Sequence, residues 1–590
     1  MTDRFAWTPP FGAQYLGRNR TRFRFWAPTQ ENVALAAGQQ APVAMARRPD
    51  GWFEIETECA AGTPYRYRLD DGMLVPDPAS RAQQGDVHGP SLVVDPHAYR
   101  WRHGTWQGRP WHETVLYELH VGTMGGFAGV QRALPRLADL GVTAIELMPI
   151  NDFPGRCNWG YDGVLPYAPD SAYGTPDELK ALIDAAHGLG LMMFLDVVYN
   201  HLGPDGNYLA VYAPQIFHAD GQVDWGAALD FGVPQLRRWF TENAIYWLME
   251  YRFDGLRFDA VHAIGDRSWL TETAAAIRAA VEPGRHVHLV LENERNEARL
   301  LAHDFNAQWN DDGHHALHVL LTGETDGYYA DYAERPAEGL ARCLQEGFIY
   351  QGEPSRYRKG APRGEVSAAL PPTAFVLFLQ NHDQIGNRPF GDRMTARAAP
   401  DAIDAALALL LLSPQIPLLF MGEEDASRTP FLFFTDHHGE LAEAVRQGRR
   451  KEFAGFGGFA DSAQRDRIPD PNSETTFLAS IPKAQADQAA TRYALMQNLL
   501  AIRRGKIVPG LDGARGLAAR AIGPAAVVAA WRMGDGATLA IAINLDGEEI
   551  AAPMPAGSLL FESKPGAAET FARDGRVPAR STIAFWHAAP

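Results

Sequence analysis

The chain has 590 residues, a length that predicts three or four domains at about 100–200 residues each, or fewer if one is a barrel. Hydrophobic residues make up 46% and charged residues 21%, which is typical of a soluble folded protein. The net charge of −17 argues against a nucleic-acid partner, because phosphate binding needs a basic surface and no run of Lys and Arg is present.

The three cysteines are widely spaced, which predicts neither a disulfide framework nor a zinc site and suggests a reducing compartment. No signal-peptide core follows Met1. The longest apolar run, residues 405–412, is shorter than the ~20 residues that span a bilayer. We therefore expect a cytoplasmic protein without a membrane partner.

Short aromatic and β-branched runs separated by turns occupy residues 21–69. Two examples are Phe23-Arg-Phe-Trp26 and Tyr65-Arg-Tyr-Arg-Leu69. Alternation at this spacing predicts a small antiparallel β-sandwich, which we place at residues 1–95. A passage rich in Pro and Gly, at about residues 76–110, is predicted to be a linker.

From about residue 115, strand-like runs alternate with long amphipathic segments. This alternation predicts an α/β fold, a (β/α)₈ TIM barrel over residues 96–510. In such a barrel the active-site residues lie at the C-terminal ends of the strands. After residue 511 short strands return and predict a C-terminal β-domain, residues 511–590. The eight predicted barrel strands are 115–121, 143–148, 191–199, 255–261, 286–291, 305–309, 374–379 and 416–421.

Four of these strand ends carry polar side chains that suit catalysis. The third strand leads into Asp196-Val-Val-Tyr-Asn-His201, the fourth carries Arg257 and Asp259, the fifth ends at Glu292, and the seventh leads into Asn381-His-Asp383. Because Arg257 and Asp259 lie two residues apart in a strand, they share a face, and the cation favours the ionised carboxylate. Taken alone, this pair could equally be an ordinary strand-end ion pair.

A retaining glycoside hydrolase needs two carboxyl groups about 5–5.5 Å apart, a nucleophile and an acid that later activates water. Asp259, ionised beside Arg257, fits the nucleophile. Glu292 fits the acid, because desolvation in an apolar strand raises a carboxyl pKa. Asp383 could stabilise the cationic transition state or bind sugar hydroxyls.

These four segments, in this order, resemble the signature regions of the α-amylase superfamily. The resemblance implies that Asp259 is the nucleophile, Glu292 the acid/base and Asp383 the transition-state stabiliser. It implies that Asp196 is largely structural and that Tyr161, in Asn158-Trp-Gly-Tyr161, stacks on the sugar before the scissile bond. The further residues predicted to hold the glucosyl unit and the nucleophile are His201, Arg257, His262 and His382.

The segment Arg24-Phe-Trp-Ala-Pro28 resembles the β-domain that precedes the barrel in branching enzymes, isoamylases and maltooligosyltrehalose trehalohydrolases. Residues 76–90 and 308–324 resemble the last of these families. This implies hydrolysis of the α-1,4 bond next to the terminal trehalose of maltooligosyltrehalose, with maltooligosyltrehalose synthase as the pathway partner. No cofactor is implied. Asn200 lies where some amylases bind calcium, but no cluster of oxygen ligands accompanies it.

A pocket for trehalose should combine aromatic faces with many hydrogen-bonding groups, since this compact disaccharide presents hydroxyls in nearly every direction. The loop predicted at the end of the sixth strand, through residue 314, and the segment after Asp383 supply such groups; alternatively, residues 310–313 form only a polar turn. The candidates for this pocket are Trp309, Asn310, Asp311, His314, Gln384 and Asn387.

Two other functions remain open from the sequence. A glycogen branching or debranching enzyme would share the sandwich, the barrel and the three carboxylates. A non-catalytic glucan-binding protein could also use the same fold, because a fold does not imply an activity.

Overall fold

Two antiparallel sheets form the N-terminal part of the computed structural model, which describes residues 5–223, 226–453 and 461–589. Phe23 and Phe25 point inward from one sheet and pack on Tyr65 and Tyr67 of the other, at ring-centroid distances of 4.9 and 4.2 Å. This face-to-face packing confirms the predicted sandwich. The strands, in sheet order, are Gly12–Gly17, Arg20–Trp26, Trp52–Glu58 and Ala46–Arg47, then Val43–Ala44, Ala34–Ala37, Pro64–Arg68 and Leu74–Val75, with Ser91–Leu92 beside Pro64–Arg68.

The predicted linker packs across the N-terminal end of the barrel. The indole of Trp106 donates to Asp254 Oδ1 (2.9 Å), and that of Trp111 donates to the Thr373 carbonyl (2.8 Å). Both rings rest against the apolar cluster inside the barrel. The linker therefore closes the end of the barrel opposite the predicted active site.

Eight parallel strands close into a barrel, as predicted. Side chains alternate along each strand, so that Leu116 and Val376 point into the barrel while Tyr117 and Leu377 pack against the surrounding layer. Each observed strand lies inside its predicted range. From first to eighth they are Leu116–Leu119, Ala144–Leu147, Met192–Val197, Gly255–Phe258, His288–Leu291, Ala307–Trp309, Phe375–Phe378 and Ile416–Phe420.

Helices connect the barrel strands. Pro176–Gly188 begins with a capping box between Thr175 and Glu178, with Pro176 at its first position. Residues 311–314, predicted as a loop, instead form the first turn of a helix that Asn310 caps. The helices are Gly126–Leu140, Pro176–Gly188, Leu209–Tyr212, Pro234–Met249, Ser268–Ala280, Ala298–Leu301, Asp311–Thr322, Pro336–Glu346, His382–Gly386, Pro400–Leu412, Gly439–Glu452, Ser462–Arg465, Glu474–Ala479, Ala489–Ile502 and Ala567–Asp574.

A five-stranded antiparallel sheet follows the barrel. Thr582 joins the two parts, because its hydroxyl donates to the Ala405 carbonyl (2.8 Å) in a barrel helix. The domain boundaries at residues 95 and 510 stay predictions. In the described ranges no helix has the length and apolar character to cross a membrane. The sheet order is Arg515–Gly523, Ala526–Arg532, Thr538–Asn544, Ser581–His587 and Ser558–Glu562.

Candidate active site

The three predicted catalytic carboxylates line one cavity of about 390 Å³ at the C-terminal ends of the barrel strands. Asp259 follows the fourth strand, Glu292 follows the fifth, and Asp383 lies in the first turn of the helix after the seventh. Parallel strands end on the same side of a barrel, which is why residues more than 100 positions apart meet here. The cavity is within the size range of small-molecule sites.

Arg257 lies beneath these carboxylates and is fully buried. Its Nη1 donates to Asp196 Oδ2 and Asp259 Oδ1, both at 2.7 Å, and its Nη2 donates to Glu292 Oε2 at 2.8 Å. One planar guanidinium thus bonds three carboxyl groups, for which its fork of donors is suited. The pairing of Arg257 with Asp259 is therefore part of a network and not an isolated ion pair.

Asp259 and Glu292 share a hydrogen bond, so they titrate as a pair. Burial and the charge of Glu292 raise the pKa of Asp259 well above its usual value, against the opposing effect of Arg257. Burial also acts to raise the pKa of Glu292, but Arg257, His262 and the Ala260 N–H (2.8 Å) lower it to about 2. Both carboxyl groups have close donors, since Arg257 bonds each of them and Asn200 adds a bond to Asp259 at 2.7 Å. The pair therefore shares one proton in the free site, and an ionised Asp259 beside a protonated Glu292 stays a prediction.

Asp383, Tyr161 and Asp196 are connected through His382. The ring of His382 lies with Nε2 2.8 Å from the Tyr161 hydroxyl and 3.4 Å from Asp383 Oδ2. The Tyr161 hydroxyl in turn donates to Asp196 Oδ2 at 2.6 Å. Asn387 donates to Asp383 Oδ1 at 3.0 Å, which fixes the carboxylate. We call Asp196, Arg257, Asp259, Glu292, His382 and Asp383 the charged floor.

Other predicted residues lie around the charged floor. Asn200 donates to Asp259 Oδ2 at 2.7 Å, so it orients the nucleophile candidate. His201 lines the cavity, with Nε2 3.0 Å from the Tyr161 carbonyl oxygen, and His262 lines it beside Glu292. Among the described residues, no group of three or more His, Cys, Asp or Glu side chains is arranged to hold a metal ion.

Trp309 is almost fully buried and lies under the guanidinium of Arg257, whose Cζ is 4.2 Å from the ring centroid. This is a cation–π contact in a desolvated setting. Trp309 touches the cavity, but most of its surface supports Arg257 and packs on Phe378. Trp309 therefore supports the charged floor, and its predicted contact with trehalose stays a prediction.

Two predicted trehalose contacts do not line the cavity. Asn310 donates to the Gly347 carbonyl (2.9 Å) and caps the helix Asp311–Thr322, so its side chain is occupied. His314 is turned by that helix onto the ring of Phe378, 5.4 Å away, and burial lowers its pKa well below the usual value. The expectation of a loop at residues 310–314 placed both side chains wrongly. Asp311, Gln384 and Asn387 do line the cavity.

The side of the cavity beyond Glu292 is built from Asp311, which the sequence predicted, and from residues that sequence reasoning missed. They follow the sixth strand, which lies across the barrel from the second strand, whose following loop carries Tyr161. No catalytic motif marks them, because each contributes only through its place in the fold. We call this set the distal wall: Asp311, Tyr328, Asp331, Tyr332, Tyr357, Arg358 and Arg363.

Asp312, fully buried behind the distal wall, anchors it. Its carboxylate accepts from the Tyr332 hydroxyl (2.5 Å), the Ile349 N–H (2.7 Å) and the Tyr350 N–H (3.0 Å). It also pairs with Arg363 Nη1 at 3.0 Å. Asp331 anchors the same segment nearer the rim, since it accepts from the Ser355 hydroxyl and the Tyr357 N–H.

The fold and this site define a glycoside hydrolase of the α-amylase class. Residues 100–225 match the α-amylase catalytic domain, and residues 514–584 match a domain of unknown function, DUF3459. The chain belongs to the malto-oligosyltrehalose trehalohydrolase family, because several curated members are similar along most of its length.

The trehalohydrolase of Deinococcus radiodurans is 43% identical over 495 residues, which cover 82% of this chain and 81% of that protein. The one from Arthrobacter ramosus is 40% identical over 543 residues, covering 87% and 93%. A crystal structure from Salmonella typhimurium, described as an alpha amylase, is 44% identical with a TM-score of 0.93, covering 98% of this chain and 100% of that one. A pullulanase from Anoxybacillus, at 17% identity and a TM-score of 0.70 over 99% and 89%, shares the fold alone.

Proposed function

We propose that this protein hydrolyses the α-1,4 bond between a maltooligosyl chain and a terminal trehalose, releasing trehalose and a maltooligosaccharide. The observation that carries the proposal is a contacting carboxyl pair, Asp259 and Glu292, held by one guanidinium in a cavity with two different walls. Carboxyl groups this close belong to the retaining class, since an inverting enzyme needs a separation of about 6.5–9.5 Å. The curated relatives carry the name of this reaction.

In the first step, Asp259 attacks the anomeric carbon of the maltooligosyl unit. The bond from that carbon to the trehalose oxygen breaks, and Glu292 gives this oxygen a proton. The pair holds one proton in the free site, and this proton must be on Glu292 when Asp259 attacks.

In the second step, Glu292 removes a proton from water while the water oxygen attacks the same carbon. The ester bond to Asp259 breaks, and the pair again holds one proton. The oxocarbenium-like transition states of both steps carry positive charge. Asp383, at the cavity surface and oriented by Asn387, is placed to stabilise that charge.

Trehalose is assigned to the distal wall. Tyr161 lies across the cavity from this wall, on the side where the superfamily resemblance places the maltooligosyl unit. Tyr328 and Tyr332 supply aromatic faces, while Asp311 and Arg363 supply acceptors and donors. Burial raises the pKa of Asp311 to about 8, which leaves it mostly protonated at neutral pH and able to donate to a sugar hydroxyl.

The substrate must be supplied by an enzyme that isomerises the reducing end of a maltooligosaccharide to a trehalose unit. We assign this role to a maltooligosyltrehalose synthase as a functional partner, without a physical contact. This proposal follows from the chemistry of the substrate alone.

The test compares maltotriosyltrehalose with maltopentaose, which has the same number of glucose units and differs only at the terminal linkage. We expect trehalose and maltotriose from the former, with a kcat/KM about tenfold or more above that for maltopentaose. Amylose and amylopectin serve as third substrates. An altered iodine stain without trehalose release would identify a branching or debranching enzyme, and no product from any substrate would leave a glucan-binding protein.

A further inference from the structure

Glu118 is a buried carboxylate that the reaction steps above do not use. It lies in the first barrel strand, where Leu116 also points inward and Tyr117 and Leu119 point outward. Its side chain therefore enters the barrel interior just below the charged floor. A buried charged group needs hydrogen-bond partners that offset the loss of water. The described hydrogen bonds of the Glu118 carboxylate both go to one residue, His382.

Both oxygens of Glu118 bond His382. Oε1 lies 2.5 Å from the ring atom Nδ1, and Oε2 accepts from the backbone N–H of His382 at 3.1 Å. The two contacts fix the ring and the backbone at the start of the helix that carries Asp383. A single carboxylate thus sets both the orientation of His382 and the entry of the chain into this helix.

The hydrogen bonds also fix the protons on His382. A carboxylate only accepts, so the contact with Glu118 requires a proton on Nδ1. The Tyr161 hydroxyl donates its one proton to Asp196 Oδ2, which also accepts from Arg257. The Tyr161 oxygen can therefore only accept from Nε2, 2.8 Å away, which requires a second proton on the ring.

We propose that Glu118 is a positioning residue for the reaction, one that holds His382 as an imidazolium directed at Asp383 and Tyr161. Burial raises the pKa of Asp383, and the imidazolium opposes this, so that it favours the ionised carboxylate next to the site of developing positive charge. It also fixes the Tyr161 ring. The inference rests on the proposed function for its substrate. It does not depend on which α-glucan is cleaved.

The charges around His382 agree with this proton count. Burial acts to lower its pKa, but Asp383 and Glu118 outweigh burial and raise it to about 9, against Arg257. Imidazolium is therefore present below about pH 9 and is lost above it. The other titratable groups that face His382 are Glu146, Asp196, Tyr161 and His120.

The experiment is the pH profile of kcat/KM for Glu118→Gln against wild type. Glutamine keeps the size of the side chain but removes the charge, so His382 loses its proton at lower pH. We expect the alkaline limb to move by about one to two pH units toward acid, the shift that loss of a nearby opposite charge produces. At pH 8 kcat should fall more than KM changes.

Glu146→Gln is the matched control. Glu146 pairs with Glu118 in the neighbouring strand and is equally buried, but no hydrogen bond joins its carboxyl to His382. Burial raises the pKa of Glu146 well above its usual value, and this substitution removes a buried carboxyl group of the same size without removing a bond to His382. We expect the alkaline limb of Glu146→Gln to match that of the wild type. An unshifted limb in Glu118→Gln, or an equal shift in both variants, would overturn the proposal.

Two further measurements keep the result decisive. Thermal unfolding reports whether each variant folds, and if Glu118→Gln does not, Glu118→Asp replaces it. Aspartate keeps the charge at a longer distance from Nδ1, so we expect a smaller shift in the same direction, and an unshifted limb there counts against the proposal. If the wild type cleaves a glucan other than maltotriosyltrehalose, the same profile is measured on that glucan, which separates the two proposals.

Discussion

The charged floor and the distal wall line the same cavity, but they are held in different ways. The floor consists of side chains at the C-terminal ends of the third, fourth, fifth and seventh barrel strands. Arg257 bonds three of its carboxylates at 2.7–2.8 Å. The wall comes from one helix start and the long segment after it, which Asp312 anchors from behind. Strand register therefore positions the carboxylates of the floor, whereas the single buried carboxylate of Asp312 positions the distal wall.

This difference implies that substitutions in the charged floor and in the distal wall change different properties of the protein. A change in the floor alters the charges that meet the reacting carbon, so it should act on kcat. A change at the anchor of the distal wall releases a segment that we propose binds the leaving group, so it should act on KM and on stability. Three substitutions test this separation, in order of expected effect.

Asp259→Asn should lower kcat by about 10³-fold or more, because the neutral amide cannot form the covalent intermediate. The Kd for maltotriosyltrehalose, measured by calorimetry, should change little, since the charged floor keeps its other members. Turnover within tenfold of the wild type would show that another group is the nucleophile.

Asp312→Asn should destabilise the fold by about 3 kcal/mol, because it leaves Arg363 without its buried counter-charge and turns an amide N–H toward groups that also donate. Denaturant unfolding measures this loss. In the folded fraction, KM for maltotriosyltrehalose should rise while kcat stays near that of the wild type.

Asp311→Asn is the control for this prediction. Asp311 lies one residue earlier, and its raised pKa leaves it mostly neutral at pH 7, so stability should change by less than about 1 kcal/mol. Equal destabilisation by both substitutions would remove Asp312 as the specific anchor of the wall.

Trp309→Leu should lower kcat by about 30-fold, the rate equivalent of a desolvated cation–π contact of about 2 kcal/mol. Leucine keeps an apolar side chain under Arg257 but lacks the negative ring face. Trp309→Phe keeps that face and should recover part of the rate. If instead KM rises and kcat is unchanged, Trp309 belongs to substrate recognition, as its sequence position first suggested.

The floor was predictable because its residues carry their own local signals. Arg257 and Asp259 share a strand face by spacing alone, and Asp259, Glu292 and Asp383 each follow a recognisable hydrophobic strand. Their convergence follows from barrel geometry once eight strands are counted. Glu118 was missed because a single Glu in an apolar strand gives no sign of the partner that it will meet.

The distal wall was less predictable from the sequence than the charged floor. Asn310, Asp311 and Gly313 favour a turn by composition, yet the backbone continues as a helix, since Asn310 caps it and its apolar positions pack on the barrel. In this helix His314 points away from the cavity, and Tyr328, Tyr332 and Arg363 line the cavity instead. Asn310 at the N-cap, with Asp311 and Asp312 in the first turn, is also a local helix-start signal, so the sequence favoured both structures and packing of the helix decided between them.

The sequence by itself determined the barrel, the two flanking β-regions and the three carboxylates proposed as catalytic, because hydrophobic period and strand-end chemistry are local properties. Tertiary structure alone decided that Asp259 and Glu292 share a proton, which ring supports Arg257, and which residues form the distal wall. Each of these depends on distances between strands and segments far apart in the chain, and electrostatic and packing energies change steeply with those distances.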